Sequence, residues 1–145
     1  MTTESELMEI EAIKQLKARY FRLMDTKQWE EFKLVFTPDA AIDVSDDAGP
    51  EHGHVEGRDR IARSIEDAVG RAFTLHHGHM PEIELTGPEE AKGIWSMFDY
   101  VEFSPAPDRR GLKGYGHYHE KYAKIDGCWH IQFMKLTRLR IDPLG

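Results

Sequence analysis

Three histidines, His76, His77 and His79, crowd the stretch AFTLHHGHMPEIEL at residues 72–85. Imidazoles this close can gather a metal ion, move protons at neutral pH, or do neither and serve as polar strand residues. A metal needs convergent side chains, usually at i and i+2 on a strand or i and i+4 on a helix. His76 and His77, as strand neighbours, face opposite sides, so only His77 and His79 meet that condition. Gly78 permits a kink and Pro81 removes a ladder donor, which leaves the direction of His79 open. The spacing favours one working histidine with two bystanders, and no residue is assigned to a metal.

A working imidazole wants carboxylate and hydroxyl partners. In AKGIWSMFDYVEF (91–103), Asp99 shares one strand face with Trp95, Met97 and Val101, while Ile94, Ser96, Phe98 and Tyr100 share the other. A carboxylate among such neighbours is costly to bury unless paired. It therefore either faces solvent on an edge strand or meets an imidazole across a pocket. In RYFRLMDTKQW, Tyr20 lies on an apolar helical stripe, so its hydroxyl needs a partner in the core. Asp25 follows five residues later, about 140° round an ideal helix. The two converge only if the helix ends near Asp25, and Asp25 could equally cap the next helix. KGYGHYHEKYAK places Tyr115, His117 and His119 on one face and Tyr118, Glu120 and Tyr122 on the other. Tyr115 and His117 are the candidate substrate contacts there. Glu51, His52 and His54 sit in a Gly/Pro loop and read as solvated.

The elements that must hold these groups follow from periodicity. Ile10, Ile13, Lys17, Tyr20 and Met24 step by three and four, with Leu16 and Leu23 widening the stripe, which predicts a first helix. A second helix, Trp29 to Phe36, carries Trp29, Phe32, Val35 and Phe36 on one side and ends at TPDA. AAIDVS reads as a strand and DDAGPEHGHVEG as a mobile acidic loop. GRDRIARSIEDAVGRA gives a third helix, with Ile61, Ile65, Ala68 and Val69 at helical spacing. The period then changes to two, predicting strands at 73–77, 81–86, 91–103, 113–125 and 129–140, the last pair joined by an Asp-Gly hairpin turn. Three helices followed by an antiparallel meander indicate an α+β fold, a curved sheet that can close into a cone around an internal pocket.

Composition narrows the partners. At 145 residues the chain makes a single domain, 1–145, with enough length for a core. A net charge of −7 disfavours nucleic acid. Lys135, Arg138 and Arg140 alternate with Leu and Thr as on a strand face, which argues against a phosphate or substrate-anion site. The lone Cys128 excludes an internal disulfide and fits a reducing compartment. The acidic start MTTESELMEIEAIKQL is unlike a signal peptide, and no apolar run reaches membrane-spanning length, so a cytoplasmic location without membrane contact is expected.

The order of these features resembles the SnoaL-like branch of the nuclear transport factor 2-like superfamily. The likeness rests on IKQLKARYFRLMDTKQWEEFKLVFTPDAAIDV, GRDRI, TLHHGHMPEIEL, GIWSMFDYVEF and GYGHYHEKYAKIDGCWHI, and spans almost the whole chain. It implies a cone-shaped α+β barrel of curved antiparallel sheet with three helices, and a homotrimer or homodimer built through the outer sheet face. Within the superfamily, the pattern is similar to the cofactor-free lyases scytalone dehydratase, bile acid 7α-dehydratase and hexachlorocyclohexane dehydrochlorinase. That similarity implies catalytic roles for Asp25 and His76, joined by Tyr20 and Asp99 as in the bile acid dehydratase.

The expected activity is a dehydratase acting on a small, hydrophobic, cyclic hydroxy-carbonyl compound without a cofactor. His76 would take a proton from carbon and Asp25 would hold the far imidazole nitrogen. Tyr20 would donate to the carbonyl or the leaving hydroxyl. A buried Asp99, protonated in one version of the scheme, would assist loss of water or orient Tyr20. Trp29, Phe73, Trp95 and Met97 are the expected pocket walls. A ketosteroid-type isomerase or cyclase, and a non-catalytic binding module, are the alternatives on the same scaffold.

Overall fold

The apolar stripe of the N-terminal segment becomes helix α1 (Glu4–Asp25) in a computed structural model that describes residues 2–145. Thr3 opens the helix with a capping box: its hydroxyl accepts from the Glu6 amide, and the Glu6 carboxylate accepts from the Thr3 amide. Ile13, Leu16, Lys17, Tyr20, Leu23 and Met24 form its buried face. The helix stops at Asp25 because Lys27 turns into the left-handed region, at φ 61°.

The second helix is shorter than its periodicity suggests. It consists of α2 (Trp29–Phe32) and a 3₁₀ turn (Lys33–Val35), and Phe36 already begins strand β1 (Phe36–Asp43). TPDA lies inside that strand, and Pro38 falls where pairing with the neighbouring strand shifts register between Phe36 and Ala41. The expected acidic loop is also partly ordered, as the one-turn helix α3 (Ser45–Ala48) and strand β2 (His54–Glu56), which pairs with β1. Helix α4 (Arg58–Val69) follows, so among the described residues there are four α-helices where three were expected.

The two short strand predictions at 73–77 and 81–86 merge into one long strand, β3 (Phe73–Gly87). An irregularity between His79 and Glu82 accommodates Met80, at φ 45°, and Pro81. Strands β4 (Glu90–Ser104), β5 (Arg110–Ile125) and β6 (Cys128–Pro143) complete the meander. Asp126 and Gly127, both at positive φ, turn β5 into β6 as an Asp-Gly hairpin requires.

The six strands form one curved, unclosed sheet in the order β2-β1-β6-β5-β4-β3. Its pairs are antiparallel except β1 with β6, which run parallel and so correct the wholly antiparallel expectation. Parallel neighbours need a long crossover, and the rest of the chain lies between these two. Helix α1 lies across β3 and β6, and α4 lies against β1. The core fills the space between, where the rings of Tyr20, Phe32, Phe36 and Tyr118 meet at centroid separations of 5.3 to 6.1 Å.

Candidate active site

The end of α1 places Asp25 against β3. Its Oδ1 accepts from the Thr74 hydroxyl at 2.9 Å and lies 2.7 Å from His76 Nδ1, while Oδ2 accepts from the His76 amide at 2.9 Å. Asp25 does not cap α2, whose N-cap is Gln28 with no side-chain bond. With Nδ1–H donated to a carboxylate, the imidazole presents Nε2 as its free nitrogen. Strand parity turns His76 inward and buries it, while the rings of His77 and His79 pack 5.8 Å apart on the opposite, outer face. The three imidazoles therefore do not converge.

The inward face of β4 buries Asp99 at 3% exposure, as an alternation of apolar neighbours requires. Its Oδ2 lies 3.8 Å from His76 Nε2. Both of its oxygens also accept from Arg138, Oδ1 from Nη1 at 2.7 Å and Oδ2 from Nη2 at 3.0 Å. That is the bonding pattern of a carboxylate and replaces the protonated Asp99 considered above.

Arg138 belongs to β6 and was read from sequence as an ordinary strand-face charge; the structure turns it inward. It also reaches Asp47 of α3 through Nε and Nη2, at 2.8 and 2.9 Å, and its amide donates to Asp46 at 2.9 Å. Burial disfavours the charged guanidinium, but the hydrogen bonds and charges of Asp47 and Asp99 outweigh this, so its pKa lies above the ordinary arginine value.

Arg138 and Asp99 stand on strands separated by β5, and they meet because β5 carries glycine beneath them. Gly114 pairs with Asp99, and Gly116 pairs with Arg138. A Cβ at Gly114 would collide with both Arg138 Nη1 and Asp99 Oδ1. Gly114→Ala is therefore expected to displace the ion pair and lower stability by about 1–3 kcal/mol, as overpacking does. Denaturant unfolding of the variant beside the wild type measures this, and unchanged stability would show that the pair can shift at no cost.

These groups open onto a cavity of about 400 Å³ that includes Met24, Ile65, Val69, Val101, Leu136 and Ile141 among its apolar walls. The volume falls at the small end of the range for small-molecule sites. Tyr20 and Tyr118 also face it, with their hydroxyls beside each other. Burial, reinforced by the charge of Glu120, raises the pKa of Tyr20 far above the usual tyrosine value. Burial does the same for Tyr118, reinforced by Tyr20 and Asp99. Both remain neutral hydrogen-bond donors at physiological pH. His52, read as a solvated loop residue, lies at the cavity edge with α3.

The four residues expected to act, Tyr20, Asp25, His76 and Asp99, are thus brought together. The expected walls are not. Phe73 is 63% exposed and packs on Tyr100 on the outer face, because it stands three residues from His76 and so has the opposite parity. Tyr115 and His117 also point outward, against Phe98 and His119, and Tyr118, between His117 and His119 in the strand, takes the inward position. Trp29 packs on Phe32, away from the cavity. Trp95 is buried in the core, with Nε1 donating to the Tyr122 hydroxyl at 2.9 Å. Met97 is buried beneath the site, its sulfur 3.6 Å from Arg138 Nη1. Parity separates Phe73 from His76 without coordinates, and an arginine two residues after inward Leu136 is the signal that reveals Arg138.

An open curved sheet wrapped on helices, with an acid–imidazole pair at a largely apolar cavity, defines a cone-shaped α+β fold. The chain belongs to the SnoaL-like domain family, whose profile matches residues 5–135, and it has the nuclear transport factor 2-like cone fold of its structural neighbours. It is 25% identical over 134 residues to the probable cyclase of Gibberella zeae, covering 88% of this chain and 89% of that one. A scytalone dehydratase-like protein of Novosphingobium aromaticivorans superposes with a TM-score of 0.85 at 21% identity, covering 99% of this chain and 93% of that chain. The hexachlorocyclohexane dehydrochlorinase LinA-type3 of Novosphingobium barchaimii superposes with a TM-score of 0.79 at 17% identity, covering 96% and 92%. At these identities the two structures share the fold. Among the described residues, no helix is long and apolar enough to cross a membrane.

Proposed function

We infer that the protein is a lyase that removes water from a small cyclic hydroxy-carbonyl compound using only its own side chains. The observation that carries this reading is the Asp25–His76 hydrogen bond, which leaves Nε2 as the free imidazole nitrogen at the cavity. His76 Nε2 takes a proton from the carbon beside the carbonyl, and Asp25 stabilises the imidazolium that forms. Negative charge moves onto the carbonyl oxygen, where Tyr20 donates a hydrogen bond. The C–O bond then breaks as the C=C bond forms. The proton gathered by His76 passes to the leaving oxygen, which departs as water, so the imidazole returns to its starting state and Tyr20 keeps its own proton throughout. Asp99, held by Arg138, stands 3.8 Å from Nε2, the ring nitrogen opposite the one bonded to Asp25.

A cyclase reading is favoured by one observation, the likeness to the Gibberella zeae protein. A panel of small cyclic β-hydroxy ketones, with products followed by mass spectrometry, separates the two. Loss of water supports elimination. A product of unchanged mass replaces it with cyclisation or isomerisation, and binding without turnover replaces both with a binding module.

A further inference from the structure

Beneath the cavity lies a buried charge that the mechanism above does not use. Lys17 is fully buried on α1, and its Nζ donates to Glu120 Oε2 at 2.6 Å. The other Glu120 oxygen accepts from the Tyr122 hydroxyl at 2.6 Å, and that hydroxyl accepts from Trp95. This ties the carboxylate down and fixes the ammonium in place. The same Nζ sits 3.7 Å from the ring centroid of Tyr20 and 3.7 Å from that of Tyr118. Two phenol rings thus bracket one cation, and these are the two whose hydroxyls adjoin each other at the cavity.

We propose that Lys17, anchored by Glu120, is a positioning residue that aligns and polarises the Tyr20 and Tyr118 hydroxyls as a donor pair for an oxyanion, such as an enolate or phenolate, in the cavity. A cation on the face of a phenol draws density from the ring and makes its O–H a stronger donor, and the effect grows where water is excluded. Tyr20 and Tyr118 line the same cavity as His76 and Asp99, which places the pair within the chamber onto which the imidazole opens. Burial pulls the Lys17 pKa down to about 8, against the opposing attraction of Glu120, while Tyr20 and Tyr118 are shifted upward. The ammonium is therefore charged at neutral pH and below, where a donor pair is needed.

This inference rests on the proposed site only in taking the two hydroxyls as the groups that meet the ligand. Its test needs no turnover. The probe is 4-nitrophenol, whose bound anion is followed by absorbance. Lys17→Met combined with Glu120→Gln, which leaves no lone buried carboxylate, is expected to weaken binding of the anion about tenfold. Lys17→Arg, which keeps the cation, is expected to retain most of the affinity. In a Tyr20→Phe, Tyr118→Phe background the rings remain but the hydroxyls are gone, and there the Lys17/Glu120 change should alter affinity less than about twofold. Near-UV circular dichroism checks packing in each variant. Equal losses in both backgrounds mark a merely structural role and overturn the proposal. So does wild-type affinity in the Lys17/Glu120 variant, or a cavity that takes up no nitrophenolate. Should the binding results hold while no compound loses water, elimination fails and the donor pair stands.

Discussion

Changing His76 to alanine is expected to slow water loss by roughly 10²–10⁴-fold, the range that general acid–base catalysis supplies. The protein should remain folded, because the ring sits at the edge of a cavity and its loss leaves Asp25 still bonded to the Thr74 hydroxyl and the backbone amide of residue 76. Asp25→Asn tests the other half of the pair. The amide fits the same space but lacks the charge that stabilises an imidazolium, so a loss of about the same size is expected from a wrongly held ring. Single-turnover kinetics on a compound found to lose water would separate this from weakened binding: both variants should lower the chemical rate far more than affinity. Near-normal turnover in either one ends the assignment of His76 as base.

The largest stability effect is expected at Arg138. Its side chain is 8% exposed and that of Asp99 is 4% exposed, so Arg138→Met strands a buried carboxylate and releases Asp47 as well. Breaking such a pair from one side typically costs about 3–5 kcal/mol. Denaturant unfolding should show that loss, and adding Asp99→Asn should recover a large part of it, since the cost comes from the unpaired charge rather than from missing contacts. A single Arg138→Met variant as stable as the wild type would mean that Asp99 is solvated or paired elsewhere.

Much of the scaffold is visible in the residue pattern because burial imposes a period. The stripe through Ile13, Leu16, Tyr20 and Leu23 marks α1, and the alternation Trp95, Met97, Asp99, Val101 marks the inner face of β4. The Asp25–His76 contact lies beyond what spacing reaches. It depends on the helix ending at Asp25, which a left-handed Lys27 decides, and only the family likeness implied it. Arg138 escaped because its partner stands two strands away, and contact at that range depends on the missing side chains of Gly114 and Gly116. Lys17 counted as one more member of an apolar stripe. Its partner Glu120 is 103 residues distant, a pairing that no local pattern encodes. The length of the second helix was overestimated because Phe36 continues its apolar side while opening β1.

One guanidinium fastens α3 over the cavity while gripping Asp99, the carboxylate that faces Nε2. The roof and the floor of the chamber thus share a single rivet. Any motion that lifts α3 removes one anion from Arg138 and leaves Asp99 as its main counter-charge, deepening the hold on the group that faces Nε2. In this architecture the short helix that walls the cavity and the acid beside the base draw on the same positive charge.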